Sequence, residues 1–266
     1  MSTEATNPIR TDEHDFTPVK SADRTLDVLE ALAGGGASLA ELAARLDIPK
    51  SSLHSILRTL ERRGWVETDA SRSIHSLGMS ALLIGSSYVD QDPTVIRTSD
   101  IMDRLAAETG ETIHLARLEL PDVVYLAKRE SAHPLRMFSA IGRRLPAHAT
   151  ALGKVTLAEL PDEKVRALLP PTLPGSTAHT ITSREALIEH LAEVRRVGFA
   201  VDDEEAGVGM RCFAVCLPFQ SPSKDAVSCS VPIARLDAEK EHAIVESLHA
   251  AREELSRQFG RRRAAI

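Results

Sequence analysis

The sequence predicts an α+β chain in two parts, a small helical head closed by a hairpin and a larger domain carried on an antiparallel sheet. Three observations predict it. Between Ser21 and Leu77, apolar residues recur three times at helical spacing and then give way to two short extended runs around a polar turn. From Thr112 onward the pattern turns to short strand-like runs interleaved with helical ones, which is how an α+β domain reads. The length of 266 residues and a hydrophobic share of 43% are enough for two ordinary domains with cores of their own.

Residues 1 to 18 read as a flexible tail, polar, aperiodic and carrying Pro8 and Pro18. The first helix is read from Ala22, Leu26, Leu29 and Ala33 and ends at Gly34-Gly35-Gly36. Ser38 with Glu41 three residues on is a capping box, followed by the stripe Leu39, Leu42, Ala43 and Leu46. Asp47-Ile48-Pro49 breaks the pattern. A third helix turns Leu53, Ile56, Leu57 and Leu60 inward and stops at Gly64. Trp65 to Thr68 and Ser73 to Leu77 flank the turn Asp69 to Arg72 as a hairpin. Helix, helix, turn, helix, hairpin is the order of a winged helix-turn-helix, placed at residues 19–78.

Residues 79–92 read as a linker helix, interrupted at Asp92-Pro93, and residues 93–266 as the second domain. Its helix runs to Gly110. Strands are read at Thr112–Leu118, Val123–Ala127, Arg136–Ile141, Arg211–Phe219 and Ala226–Ile233, and helices near 149–158, 162–169, 183–197 and 237–259. Asp202 to Glu205 reads as an acidic turn.

Composition bounds the function. No apolar run approaches the roughly 18 residues of a membrane helix. The polar start lacks the apolar segment of a secretory signal, and three sparse cysteines suit a reducing compartment. The expected location is the cytoplasm, with no membrane partner. A net charge of -6 excludes a chain that is basic throughout, but Arg45 to Arg72 holds six Lys or Arg against four Asp or Glu.

The third helix leaves Lys50, Ser51, Ser52, His54, Ser55, Arg58, Thr59 and Arg62 on its polar face. That face is rich in hydroxyls and poor in the Glu and Lys that ordinary exposed helices carry. Hydroxyls and imidazole suit base edges, and base contacts concentrate in the first half of a recognition helix. Ser51, Ser52, His54 and Ser55 are therefore assigned to base edges of double-stranded DNA, and Thr59 to the same DNA-binding face. Lys50, Arg24 and Arg72 in the wing are assigned to phosphates, and Arg58 to either. So small a charge surplus calls for a dimer on a two-fold operator. The terminal Arg257, Arg261, Arg262 and Arg263 read as a solvated tail.

In the second domain, Gly142 to Lys154 reads as a loop entering a helix of small residues. Its first N–H groups suit a carboxylate. A start capped by Thr150 and filled by its own core is the competing reading. Cys212, Ala214 and Cys216 share one strand face. Ser228 and Ser230 share another, with Cys229 opposite. Together these could wall a small polar ligand. Cys212 with His148 as nucleophile and base is the enzymatic alternative, a small-acid-binding enzyme with a regulatory winged helix. Nothing in the sequence activates the thiol or supplies an oxyanion site. A zinc site from Cys212, Cys216, Cys229 and His148 lacks any CxxC pair. His114, His133 and His148 read as structural or pocket-lining. A protein-binding role for the winged helix is the third reading. No Walker loop, dinucleotide fingerprint or HExxH is present, so no cofactor, metal or catalytic residue is expected.

These residues resemble the bacterial IclR (isocitrate lyase regulator) type of transcription factor. The resemblance rests on Ser21-Ala-Asp-Arg-Thr-Leu-Asp-Val-Leu29, Leu39-Ala-Glu-Leu-Ala43, Ile48-Pro-Lys-Ser-Ser-Leu-His-Ser-Ile-Leu-Arg-Thr-Leu60, Thr109-Gly-Glu-Thr112, Arg143 to Lys154, Asp202-Asp-Glu-Glu205 and Gly209-Met-Arg-Cys212. It implies a non-enzymatic regulator with a linker helix and a GAF-like effector domain. It also implies a homodimer joined through the DNA-binding domain, often a dimer of dimers, residing on the nucleoid when bound to DNA. The effector is implied to be a small organic acid, such as a hydroxy, sugar or aromatic acid from catabolism. Its pocket is carried onto Met137, Leu145, Ala151, Leu152, Asp202, Met210, Cys212, Ser228 and Ser230. Some relatives have Ser-Gly-Ala-Gly where this chain has Thr150-Ala-Leu-Gly153, so Leu152 alters the pocket floor. Asp202 would repel a carboxylate beside it and is expected to accept a hydroxyl proton instead.

Overall fold

The structure, a computed structural model, describes residues 17–69, 71, 73–134 and 139–263. Most of the predicted tail lies outside them, as do Arg72 and Met137. The chain separates into two compact units, one ending at Gln91 and one beginning at Asp92.

In the first unit, helix α1 (Lys20–Ala33), strand β1 (Ala37–Ser38) and helices α2 (Leu39–Leu46) and α3 (Lys50–Arg62) precede strands β2 (Val66–Asp69) and β3 (Ile74–Leu77). Helix α4 (Met79–Gln91) closes it. The Ser38 hydroxyl accepts from the Glu41 amide and the Glu41 carboxylate from the Ser38 amide (2.8 Å), so the capping box is present. Asp47 takes a left-handed φ of 49° after α2, a conformation that a short side chain tolerates in a tight turn. Leu53, Leu57 and Leu60 of α3 meet Val28, Ala31, Leu32 and Leu42 in one core. Each leucine or valine among them contributes about 1.5–3 kcal/mol by leaving water.

The predicted face of α1 is a correction. Val28, Ala31 and Leu32 are buried and Leu29 packs against them, whereas Ala22, Leu26 and Ala33 are exposed. Two apolar stripes run along this helix, and spacing alone did not say which one meets the core. The strand β1 was not foreseen. It pairs with β3, giving the order β1-β3-β2.

The second unit starts with helix α5 (Pro93–Thr109), capped by the Asp92 carboxylate and ended by Gly110 in the left-handed region. Strands β4 (Thr112–Glu119), β5 (Asp122–Arg129) and β6 (Arg144–Pro146) follow, then a single 3-10 turn at Ala147–Ala149. Helices α6 (Ala151–Leu157), α7 (Asp162–Leu168) and α8 (Arg184–Val197) come next. Strands β7 (Ala200–Asp203), β8 (Met210–Cys216) and β9 (Asp225–Pro232), with helix α9 (Ala238–Arg263), complete the unit. All six strands form one antiparallel sheet in the order β6-β5-β4-β9-β8-β7.

Three expectations are corrected here. Within Arg136–Ile141, the residues 139–141 are irregular and 135–138 lie outside the described residues, so the edge strand is β6. Asp202 and Asp203 end strand β7 and do not form a turn. The backbone of the arginine-rich terminus continues α9 to Arg263 and is no tail up to that point, while Arg257 is exposed.

Period-two alternation divides the sheet into two cores. Ile113, Leu115, Phe213, Val215, Val227, Cys229 and Val231 face α5 and α9. Cys212, Ala214, Cys216, Ala226 and Tyr125 face the α6–α8 layer. The polar residues of interest lie on this second face.

Candidate nucleic-acid interface and ligand wall

The α3 surface follows from its burial pattern. Lys50, Ser51, His54, Ser55, Arg58 and Thr59 are exposed and Ser52 is half-buried, all on the face opposite Leu53, Leu57 and Leu60. Ser55 donates its hydroxyl to the Ser51 carbonyl (3.1 Å) and Thr59 to the Ser55 carbonyl (2.9 Å). Both hydroxyls therefore face an incoming group as acceptors, which sequence could not show. Arg24 is half-buried on α1. The wing turn is held by Asp69, whose carboxylate accepts from the Ser71 amide (2.9 Å) and hydroxyl (2.6 Å). Glu61 at the far end of α3 bonds Thr68 of the wing, and Thr68 meets His75 Nδ1 at 2.8 Å. Recognition helix and wing are thus tied by side chains.

On the second unit the register sets two polar rows side by side. Asp202 pairs with Cys212, Cys212 with Ser230, and Ser230 with Thr112. One step along, Ala200, Ala214, Ser228 and His114 follow each other in the same manner. Asp202, Cys212, Ser228, Ser230 and His114 are all buried on the face that α6 covers. Ala151 and Leu152 belong to α6 and its core, and Leu145 packs against that core from β6. Met210 is half-buried at the start of β8, on the side of Cys212.

α6 approaches so closely because Gly153 has no side chain. A Cβ there would lie 2.1 Å from the Ala147 carbonyl oxygen. Thr150 caps the helix by accepting from the Gly153 amide (3.1 Å), as the competing reading of this helix start had it.

Burial sets the electrostatics. It pushes the Asp202 carboxyl up to about 6, against the amides of Ala206 and Glu205, which donate to its Oδ1. It pushes the Cys212 thiol far up, with the neighbouring Asp202 adding to the effect. His114 falls to about 4 through burial and the nearby Lys128, so its ring is neutral. His114 stacks on Tyr125 with ring centres 4.6 Å apart. The Ser228 hydroxyl is buried without a hydrogen-bond partner. Lys154, fully buried, is paired with Glu205.

Sequence reading missed Tyr125, and it held Lys154 and Glu205 within the two polar segments without assigning either a role. It placed His114 among structural or pocket-lining residues, and the alternation of β4 was the one signal available. The enzymatic pair does not assemble as a catalyst. The Cys212 thiol is held protonated, and His148 Nε2 donates to the Pro174 carbonyl at 2.8 Å. Among the described residues, no group of three or more His, Cys, Asp or Glu could hold a metal ion. No described helix is long and apolar enough to cross a membrane.

A winged helix followed by a sheet domain of this kind is the architecture of a DNA-binding regulator with an effector domain. The comparisons agree. Residues 21–70 match the IclR helix-turn-helix domain and residues 86–257 the bacterial transcriptional regulator IclR C-terminal domain. The transcriptional regulator KdgR of Dickeya chrysanthemi is 36% identical over 246 residues, covering 91% of this chain and 80% of that one. The transcriptional repressor IclR of Escherichia coli K12 is 34% identical over 229 residues, covering 82% of each. The crystal structure of an IclR regulator from Alicyclobacillus acidocaldarius superposes with a TM-score of 0.80 at 26% identity, over 91% of this chain and 100% of that one. The chain belongs to the IclR family of DNA-binding transcriptional regulators. Its relatives are regulators and repressors, not enzymes.

Proposed function

We propose that this regulator reads a two-fold operator as a homodimer or a dimer of dimers, acting on the cytoplasmic nucleoid. Its affinity for that operator is set by a small hydroxylated organic acid held against the β7-β8-β9-β4 wall. The observation that carries the effector reading is the buried Ser228 hydroxyl with no partner, set between Ala214 and His114 on the sheet face that also carries Asp202, Cys212 and Ser230. An unmatched buried hydroxyl costs free energy, which a ligand group at that position would recover. Asp202 uses Oδ1 on two backbone amides and suits a ligand hydroxyl better than a second carboxylate. The ligand carboxylate is assigned to the Ala151 and Leu152 N–H groups at the start of α6, the Gly153 amide being taken by Thr150.

On the DNA side, Ser51, Ser52 and His54 contact bases, with Ser55 and Thr59 accepting. Lys50, Arg24 and Arg72 hold phosphates, and Arg58 takes a guanine or a phosphate. Exposed Leu82, Leu83 and Ile84 on α4, a helix with no buried residue, together with Leu26 on α1, support pairing of two copies through this unit. Effector and operator are coupled because the ligand prefers one of two forms, and only that difference in affinity can move the equilibrium.

The test is Asp202→Asn against two ligands, a hydroxy acid and its deoxy analogue, by calorimetric titration. The hydroxy acid should lose about tenfold in affinity and the deoxy acid little. Equal losses would overturn the role of Asp202.

A further inference from the structure

His114 stands at the centre of the wall and carries two hydrogen bonds of opposite demand. Its Nε2 lies 2.8 Å from Ser139 Oγ and its Nδ1 lies 3.3 Å from Ser230 Oγ. The ring is fully buried and stacked face to face on Tyr125, with an interplanar angle of 14°, so it is held in place. A neutral imidazole has one N–H donor and one bare nitrogen. The two hydroxyls therefore cannot be set independently. If Nε2 carries the proton, it donates to Ser139, Ser230 donates to Nδ1, and Ser230 offers only lone pairs to a ligand. If Nδ1 carries the proton, it donates to Ser230, Ser139 donates to Nε2, and the Ser230 O–H is released toward the ligand.

We infer that His114 is a positioning residue that sets whether Ser230 meets the effector as an acceptor or as a donor, with Ser139 completing the exchange. The inference rests on the effector reading above. It gives the wall either an acceptor or a donor at Ser230, according to the group the effector places there. Lys128 reinforces the arrangement. Its ammonium donates to the Ser139 carbonyl at 2.6 Å and opposes a second proton on the ring. Both tautomers carry no charge, so switching between them does not bury an ion.

The experiment uses the full chain with 15N-labelled histidine at pH 7, reading the ring nitrogen shifts of His114. The Ser230→Ala variant, without ligand, removes one of the two partners and should move those shifts. Unmoved shifts in a folded variant would overturn the inference whether or not any acid binds. The second arm titrates gluconate, glycolate and 4-hydroxybenzoate into the wild type by calorimetry. Binding of none of them would count against the effector reading alone, because the Ser230→Ala arm judges His114 independently. For an acid that binds, the His114 ring should shift toward the Nδ1-protonated form, and His114→Leu should cost about tenfold in affinity. His114→Asn, which places an amide near the Nδ1 position, should recover most of that loss. Equal defects in Leu and Asn variants of equal thermal stability would reduce His114 to a packing residue.

Discussion

Replacing Arg117 by Met should destabilise the effector domain severely at neutral pH and much less in acid. Arg117 on β4 donates Nε to Asp225 Oδ1 at 2.6 Å and Nη1 to Asp92 Oδ2 at 2.6 Å. One guanidinium therefore serves two carboxylates, and both aspartates are buried, Asp92 6% and Asp225 4% exposed. Asp92 also caps α5 through the amides of Thr94 (2.8 Å) and Val95 (3.2 Å), and the Thr94 hydroxyl reaches Asp225 at 2.8 Å. Burial pushes the Asp92 carboxyl up, but Arg117 and the two amides outweigh it and hold the group below its usual range. Its stabilising contribution is complete above the ordinary carboxylate pKa and is lost as pH falls through the lower folded value. Removing Arg117 leaves buried charge without compensation, a loss of about 3–5 kcal/mol. Without the guanidinium, burial acts against the Asp92 anion, and protonating it relieves part of the cost. Urea unfolding followed by circular dichroism at pH 7 and at pH 4 measures both terms. A loss under about 1 kcal/mol at pH 7, or a loss that grows toward pH 4, would refute the reasoning.

Other outcomes follow from the same geometry. Gly153→Ala should cost about 3 kcal/mol or more in unfolding free energy, because backbone of Ala147 occupies the Cβ position and cannot yield as a side chain would. Asp202, pushed up to about 6 from 3.8, should make stability fall by up to about 3 kcal/mol as pH rises through that interval. The Asp202→Asn variant should lack that slope in matched denaturation curves. Arg58→Ala and Ser52→Ala should both weaken operator binding. If Arg58 holds phosphate, specific and non-specific binding fall together and the salt slope flattens. If Ser52 reads a base, its loss also relaxes sequence preference in competition assays.

Much of the fold was legible where a single physical pattern decided it. Ser38 and Glu41 announced the start of α2, and Asp92-Pro93 the break before α5. The two faces of β8 and β9 could be read from alternation because every second residue is strongly apolar. The face of α1 could not, since Leu26 and Ala22 mimic a core stripe while lying exposed. Short edge strands were missed for a related reason. Neither β1 nor β6 is long enough to show a period, and each exists through its partner strand. The wall was half legible. Cys212, Ser228 and Ser230 were placed on common faces, but the register that brings Asp202 and His114 into the same rows depends on pairings distant in sequence. The burial of Lys154 against Glu205 was likewise invisible, because a lysine in a helix ordinarily points to water.

The most direct test is fluorescence anisotropy of the full-length protein on labelled DNA from the region upstream of its own gene, with competitor DNA at defined salt, repeated with a panel of hydroxylated carboxylates. The account predicts sequence-specific binding that one such acid changes by about 5- to 150-fold, the range of ordinary allosteric coupling. An acid that calorimetry shows to bind the chain, but that leaves operator affinity unchanged, would contradict it.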